Sequence, residues 1–282
     1  MAGLSLLQRA MVAYGAYLPN HPRKWWIHEK LRKALAIEVS GDREVRREGF
    51  RWLLDPSDFE HAGYFWLGSK DPWDIHHIVR LVPKDAVILD IGANFGYYTV
   101  RLAKELGPGC RIHTFEPNPK THARLSKHVE WNGASSVVKL HRLGVSDRSG
   151  EALMVERSDN SGASRIGLEG EQGISIPLTS LDDFATAEGL DRVDLMKIDV
   201  EGFEEKLIQG AEKMIARFRP IILIELWPPG LEKIGTSVTA VVDRLRALGY
   251  DFYEAHRAEF RPVERFPDGV DPVNIFCLPR KG

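Results

Sequence analysis

The run Val87-Ile88-Leu89-Asp90-Ile91-Gly92-Ala93-Asn94-Phe95-Gly96-Tyr97-Tyr98-Thr99 holds the most concentrated chemical signal in the chain. An apolar stretch that ends in Asp and opens on two close glycines reads as strand, tight turn and helix start, the layout of a cofactor-binding turn. A dinucleotide fingerprint G-x-G-x-x-G needs its second glycine so that backbone can approach a pyrophosphate, and its third for close helix packing. Those places hold Asn94 and Tyr97. An amide and a phenol there argue against NAD or FAD and for an adenosine cofactor without phosphates, such as S-adenosylmethionine.

Arg111-Ile112-His113-Thr114-Phe115-Glu116 reads as a second strand ending in an acid, near the offset of about 20 residues at which such folds hold ribose hydroxyls. Two carboxylate oxygens facing a vicinal diol make a bidentate, charge-assisted pair of bonds. Met196-Lys197-Ile198-Asp199-Val200-Glu201-Gly202-Phe203-Glu204 is a third strand end, with two carboxylates and a glycine before a helix. Methyl transfer from a sulfonium needs in-line approach at about 3 Å, and a hydroxyl nucleophile gains from a base that takes its proton. Either Asp199 or Glu201 suits the base, leaving the other for the cofactor's ammonium group. Glu204 is expected to be a first-turn acid favoured by the helix dipole, and Lys197, mid-strand, to pair with a carboxylate.

Glu225 interrupts the apolar strand Ile221-Ile222-Leu223-Ile224-Glu225-Leu226-Trp227. An unpaired buried carboxylate is costly, so Glu225 is either paired or faces substrate. Val145-Ser146-Asp147 ends a further strand, and its Ser146 either belongs to a polar turn or touches adenine. His76, His77, His113 and His141 lack metal-ligand spacing and are expected to be scattered and solvated. No residue is assigned to a metal, although the carboxylates at 199, 201 and 225 suit magnesium as well as they suit its absence.

These candidates share a location, because ligands of open α/β sheets bind beyond the carboxyl ends of the strands at a switch point. Alternating apolar runs predict strands at 86–91, 111–115, 136–141, 194–199 and 221–226, with helices at 96–106, 119–132, 203–217 and 237–248. Between Glu151 and Leu178, short alternating runs suggest an inserted hairpin, with Pro177 favouring a sheet edge. Asn274-Ile275-Phe276-Cys277-Leu278 looks like a closing strand. Residues 1–75 hold Trp25, Trp26, Trp52, Trp66 and Trp73, five of the seven tryptophans, and read as a helical, aromatic-rich appendage shaping substrate choice or oligomerisation. Its stretch His21-Pro22-Arg23-Lys24-Trp25-Trp26 either packs on its own domain or lies on a membrane surface, a glycolipid or a sugar.

With 282 residues, 43% hydrophobic and 28% charged, the chain suits one large domain with an appendage. A net charge of −2 supplies no general footprint for nucleic acid. Two cysteines, Cys110 and Cys277, form no metal or disulfide pattern, which suits a reducing, cytoplasmic setting. The first residues lack a basic leader and a continuous apolar core, so no signal peptide is expected, and no run is long enough to span a bilayer.

Taken together, Asp90-Ile91-Gly92-Ala93-Asn94-Phe95-Gly96-Tyr97-Tyr98-Thr99, Phe115-Glu116-Pro117, Val145-Ser146-Asp147, Thr179-Ser180-Leu181-Asp182-Asp183 and Lys197-Ile198-Asp199-Val200-Glu201-Gly202 resemble the FkbM family of S-adenosylmethionine-dependent methyltransferases over roughly residues 76–280. The resemblance implies a Rossmann-like class I methyltransferase domain at 76–282, α/β with a mostly parallel sheet. It also implies Gly92, Asn94 and Gly96 around the methionine part of the cofactor, Glu116 on the ribose, and Asp199 and Glu201 near the transferred methyl. Hydroxyls of sugars, glycolipids or secondary metabolites are the acceptors it suggests. The expected cofactor set is therefore Asp90, Gly92, Ala93, Asn94, Gly96 and Thr99 from the first turn, with Glu116, Val145, Ser146 and Asp199. The expected catalytic set is Glu201, Asp199 and Glu225. An N-methyltransferase acting on nucleic acid or peptide, or a non-catalytic binding module on the same fold, are the alternatives. A small-molecule or glycan acceptor is the expected partner, with peripheral membrane contact and a homo-oligomer both compatible with the pattern.

Overall fold

The structure is a computed structural model that describes residues 5–17, 24–68, 72–157, 160–168, 170–257 and 259–280. Residues 21–23 of the cationic, aromatic stretch and residues 1–4 lie outside these. The chain divides into two compact units, one of 1–72 with 157–162, the other of 73–156 with 163–282.

The first unit contains helices α1 (Leu6–Tyr17) and α2 (Lys24–Ala34), strands β1 (Arg43–Arg47) and β2 (Phe50–Leu54), and helix α3 (Phe59–Leu67). The antiparallel hairpin β1–β2 goes beyond the helical expectation. Its turn residues Glu48 and Gly49 have φ of 50° and 85°, the left-handed pair that matches the twist of a two-residue hairpin. Phe50, Trp52 and Leu54 alternate inward on β2. Trp52 then meets Tyr64 of α3 edge to face at 5.3 Å. Gly15 of α1 sits on the Trp66 carbonyl so closely that a Cβ would lie 1.7 Å from the oxygen. Leu6, Trp26, Leu31 and Leu35 stay exposed, Trp26 under the Lys30 ammonium at 4.1 Å. No helix among the described residues is long and apolar enough to cross a membrane.

The second unit opens with α4 (Pro72–Leu81) and continues as β3 (Val87–Ile91), α5 (Tyr97–Leu106), β4 (Arg111–Phe115), α6 (Pro119–Trp131) and β5 (Val138–His141). Four short strands follow, β6 (Gly144–Val145), β7 (Gly150–Val155), β8 (Arg165–Ile166) and β9 (Ile174–Thr179). Then come α7 (Leu181–Ala187), β10 (Leu195–Ile198), α8 (Glu204–Gln209), α9 (Glu212–Phe218), β11 (Ile221–Leu226), α10 (Pro228–Lys233) and α11 (Val238–Ala247). The chain closes with β12 (Tyr250–His256), β13 (Glu259–Pro262) and β14 (Val273–Pro279).

The eight-stranded sheet runs β13-β12-β14-β11-β10-β3-β4-β5. Strands β5, β4, β3, β10 and β11 are mutually parallel, and β14 inserts antiparallel between β11 and β12. β3 is buried at all five residues, as expected of a central parallel strand covered on both faces. After β3 the chain moves outward to β4 and β5, then returns to β10 on the other side of β3. This reversal opens the crevice at the carboxyl ends of β3 and β10.

Two local expectations are corrected. The helix expected over 203–217 is broken at Gly210-Ala211, where the Gly210 carbonyl accepts the Asp182 N–H at 2.9 Å and the backbone runs so close to Ser146 that a Cβ on Gly210 would lie 2.2 Å from its carbonyl oxygen. In the second sheet, ordered β6-β9-β7-β8, Pro177 occupies an internal strand. It is tolerated because pairing of β9 with β6 begins only at Leu178.

Candidate functional site

The register Asp90↔Lys197 and Ile91↔Ile198 brings the ends of β3 and β10 level. The Asp199 N–H extends this ladder to the Ile91 carbonyl at 3.1 Å. Gly92 then turns at φ 74°, so close to β10 that a Cβ would sit 1.7 Å from the Asp199 oxygen. Only glycine meets both conditions. The Gly92 and Ala93 N–H groups both donate to the Phe115 carbonyl at 3.0 Å, and Asn94 continues at φ 50°. Gly96, at φ 92°, starts α5 against Leu125, whose Cδ1 would be 2.5 Å from an added Cβ. Tyr97 is buried and does not occupy a phosphate-facing surface.

Glu116 stands beside this turn, its own N–H held by the His141 carbonyl at 3.1 Å. One carboxylate oxygen accepts from the Asn94 N–H at 3.0 Å, the other from the Asn118 N–H at 2.9 Å. Each oxygen keeps a lone pair that can accept from one hydroxyl of a vicinal diol. Burial pushes this carboxyl up to about 7 against the two N–H donors, with Asp199 and Asp90 adding to the rise.

The β10 end is more open. Asp199, Glu201 and Glu225 are half-buried and bring carboxylate oxygens within 4.8 Å of one another. Such a set can accept a proton from a hydroxyl, hold an ammonium group or chelate a divalent cation. Glu201 itself has φ 54° and Gly202 φ 104°. Gly202 lies on the start of α10, where a Cβ would meet the Gly230 oxygen at 2.5 Å. Below this turn, the buried Glu204 accepts the Gly202 N–H at 3.0 Å. Burial raises Glu204 to about 7, so it is more than a solvated first-turn acid.

Lys197 pairs with Asp199 at 2.6 Å, as its position in the strand led us to expect. Burial pulls its pKa down, yet Asp199, Asp90 and Glu225 outweigh that and hold the ammonium above its usual range. Its Nζ also lies 5.2 Å over the Tyr98 ring. The Tyr98 hydroxyl donates to Asp74 at 3.2 Å, and the Asn274 amide donates to the same oxygen at 2.9 Å. Asn274 pairs in register with Glu225. Asp74, Tyr98 and Asn274 were not singled out from sequence; Asp74 and Asn274 are 200 positions apart, and no local pattern joins them.

Gly92, Ala93, Asn94, Gly96, Glu116, Asp199, Glu201 and Glu225 thus gather at one end of the sheet. Asp90 and Thr99 do so only from beneath. Both are fully buried, with the Thr99 hydroxyl donating to Asp90, so they support the turn and present no surface to a ligand. Desolvation raises the Asp90 carboxyl, against the pull of Lys197. Val145 belongs to the apolar core that includes Phe115. Ser146 is buried; its N–H donates to the Thr179 carbonyl at 3.0 Å and its hydroxyl lies 3.0 Å from Asp147. The histidines are not scattered in solvent: His77 is buried on the Arg257 carbonyl at 2.7 Å. His113 meets His141 at 3.1 Å, and burial brings His141 down to about 4.

The model of the Methyltransferase FkbM domain matches residues 90–252, from the last residues of β3 into β12. Over 212 residues the chain is 28% identical to 2-O-methyltransferase NoeI of Sinorhizobium fredii, covering 69% of this chain and 80% of the relative. It is 26% identical over 169 residues to 31-O-demethyl-FK506 methyltransferase FkbM of Streptomyces tacrolimicus, covering 49% and 64%. Among solved structures, methyltransferase FkbM from Methylobacillus flagellatus aligns with a TM-score of 0.45 at 16% identity, covering 95% of this chain and 58% of the other. The match spans the cofactor turn, the Glu116 strand and the acidic turn after β10 in one stretch, and the chain belongs to the FkbM family of S-adenosylmethionine-dependent methyltransferases.

Proposed function

We propose that this protein is an O-methyltransferase that moves the methyl group of S-adenosylmethionine to a hydroxyl of a sugar, a glycolipid or a sugar-bearing secondary metabolite. The observation that carries the reading is the cluster of Asp199, Glu201 and Glu225, with oxygens within 4.8 Å, beside the turn held by Glu116. Two relatives bear oxygen-directed names, a 2-O-methyltransferase and a 31-O-demethyl-FK506 methyltransferase.

In this reading Gly92, Ala93, Asn94 and Gly96 form the wall for the methionine end, and Glu116 receives both ribose hydroxyls. Val145 and Ser146 border the adenine through backbone. The bound cofactor supplies an electrophilic methyl on a sulfonium. Glu201 takes the proton of the acceptor hydroxyl as its oxygen forms the new bond to carbon, and the carbon–sulfur electron pair returns to sulfur. Asp199, fixed by Lys197, holds the cofactor's ammonium group, and Glu225 accepts from the acceptor. Uncharged groups would serve this chemistry poorly, since bonds to ionised acceptors are about twice as strong as neutral ones.

Calorimetry and product mass test the reading together. S-adenosylmethionine should bind, Glu116→Ala should weaken it, and a glycoside panel should gain a methyl on oxygen. Transfer to a nitrogen acceptor instead, or stabilisation by NAD without binding of S-adenosylmethionine, would overturn it.

A further inference from the structure

The strand that delivers Glu225 continues one step further than the acidic cluster. Trp227 follows two residues later with extended backbone, φ −115° and ψ 99°, so its side chain leaves on the same side as Glu225. Both edges of its indole are occupied. The ring nitrogen donates to the Val270 carbonyl at 3.0 Å. The opposite edge lies on Gly230, where a Cβ would meet Cε3 at 2.5 Å and Cζ3 at 3.1 Å. With both edges engaged, the part of the half-buried ring that stays accessible is a face.

Gly230 also connects that ring to the turn of Glu201. A Cβ on Gly202 would meet the Gly230 oxygen at 2.5 Å, and one on Gly230 would lie 3.3 Å from the Gly202 Cα. Two glycines are therefore all that separates the indole edge from the backbone of the acidic turn. The molecule holds an aromatic plane, fixed at two edges, next to three carboxylates whose oxygens lie within 4.8 Å of one another. A flat apolar surface beside a set of pure acceptors is complementary to a ring with C–H bonds on its face and hydroxyl donors around its rim.

We propose that Trp227 is the platform for the acceptor ring, and that Glu201 and Glu225 take its rim hydroxyls, making the subsite one for an uncharged pyranose. The proposal rests on the O-methyltransferase reading above and narrows it. Three carboxylates face one buried ammonium, Lys197, which is already paired with Asp199. An acidic ring would meet like charge there, and like charges in a desolvated cleft repel strongly. Trp227 is a specificity residue in this scheme; the methyl-transfer step itself uses Glu201.

The test is initial-rate kinetics of the full chain with saturating S-adenosylmethionine on methyl mannopyranoside, methyl glucopyranoside, the methyl glycoside of glucuronic acid, and catechol. Trp227→Ala should raise KM for the neutral glycosides about tenfold, the loss of one stacking contact. The dissociation constant of S-adenosylmethionine should stay unchanged, which also reports that the variant is folded. Trp227→Phe should restore most of the lost affinity. The uronate should be the poorer substrate for the parent chain. If glycosides are methylated but Trp227→Ala leaves their KM unchanged, the platform is wrong and the O-methyltransferase reading survives. Preference for the uronate, or for catechol over every glycoside, overturns the subsite chemistry. Binding of S-adenosylmethionine with transfer only to nitrogen, or to none of the panel, removes the proposal together with its parent reading.

Discussion

The turns after β3 and after β10 share one plan, a parallel strand that ends at a carboxylate and then passes through left-handed backbone, but they spend it differently. After β3 the left-handed positions fall on Gly92, Asn94 and Gly96, residues that take such angles at little cost. The acid of that side, Glu116, is buried, and both its oxygens already hold backbone N–H groups. After β10 a left-handed position falls on Glu201 itself, which costs of the order of 1 kcal/mol for a residue with a Cβ. Its companions Asp199 and Glu225 are half-buried. The first turn holds the Glu116 carboxylate on backbone N–H groups before any ligand arrives, which suits the constant cofactor proposed for it. The second keeps carboxylates accessible and a strained backbone, as suits contact with a reacting group.

Gly92→Ala is the severest way to test this contrast. The new Cβ would meet the Asp199 oxygen at 1.7 Å on a left-handed backbone, so β3 and β10 must separate. A stability loss of about 3 kcal/mol or more is expected in urea unfolding. A smaller loss would mean that the first turn is pliable. Glu201→Gln should come next, with turnover down about 10² to 10⁴-fold and cofactor affinity unchanged by calorimetry. Equal losses in both would place Glu201 with the cofactor and dissolve the distinction between the turns.

A smaller effect is expected from pH. Burial raises Glu116 to about 7, and in the proposed role its ionised form is the better acceptor for ribose hydroxyls. Cofactor affinity should therefore rise between pH 6 and 8 and level off above, by at most about tenfold per unit on the steep part. Binding near neutrality should release a proton, seen as an enthalpy that varies with buffer. Stability has the opposite sign. A carboxyl whose folded pKa lies above its unfolded value costs stability as pH rises from the ordinary carboxylate range to about 7, and nothing further above it. Glu116→Gln should flatten that slope. Last, Glu204→Ala should cost about 1 to 3 kcal/mol by stranding the Gly202 N–H, while Glu204→Gln keeps the bond and most of the stability. If both variants behave alike, the acidic turn is not held from below.

Much of this contrast was legible in the chain. The sheet core and the glycine turn were readable because apolar runs and φ-permissive residues are local signals, and Lys197 betrayed a partner by standing mid-strand. The burial of Glu204 was not, since first-turn acids look the same in sequence whether solvated or enclosed, and this one is 1 % exposed. Asp90 and Thr99 sit within the signature yet are fully buried, the Asp90 carboxylate on β3 taking the hydroxyl of Thr99 from α5. The β1–β2 hairpin carries an alternation at Phe50, Trp52 and Leu54, but runs of five residues are too short for periodicity alone to separate strand from helix. The placement of β14 between β11 and β12 depends on pairing across the chain's end, which no window of residues can display.

The seating of Gly92 on the Asp199 carbonyl also sets an order of events during folding. The two partners are about a hundred residues apart, so that contact forms only after the loop between them, with its own small sheet, has been closed. Contacts of this separation are slow to form. A growing or shortened chain that stops before β10 holds the glycine motif without the surface that shapes it. If the cofactor binds where it is proposed to, it stabilises by mass action only the form in which both ends of that segment have met.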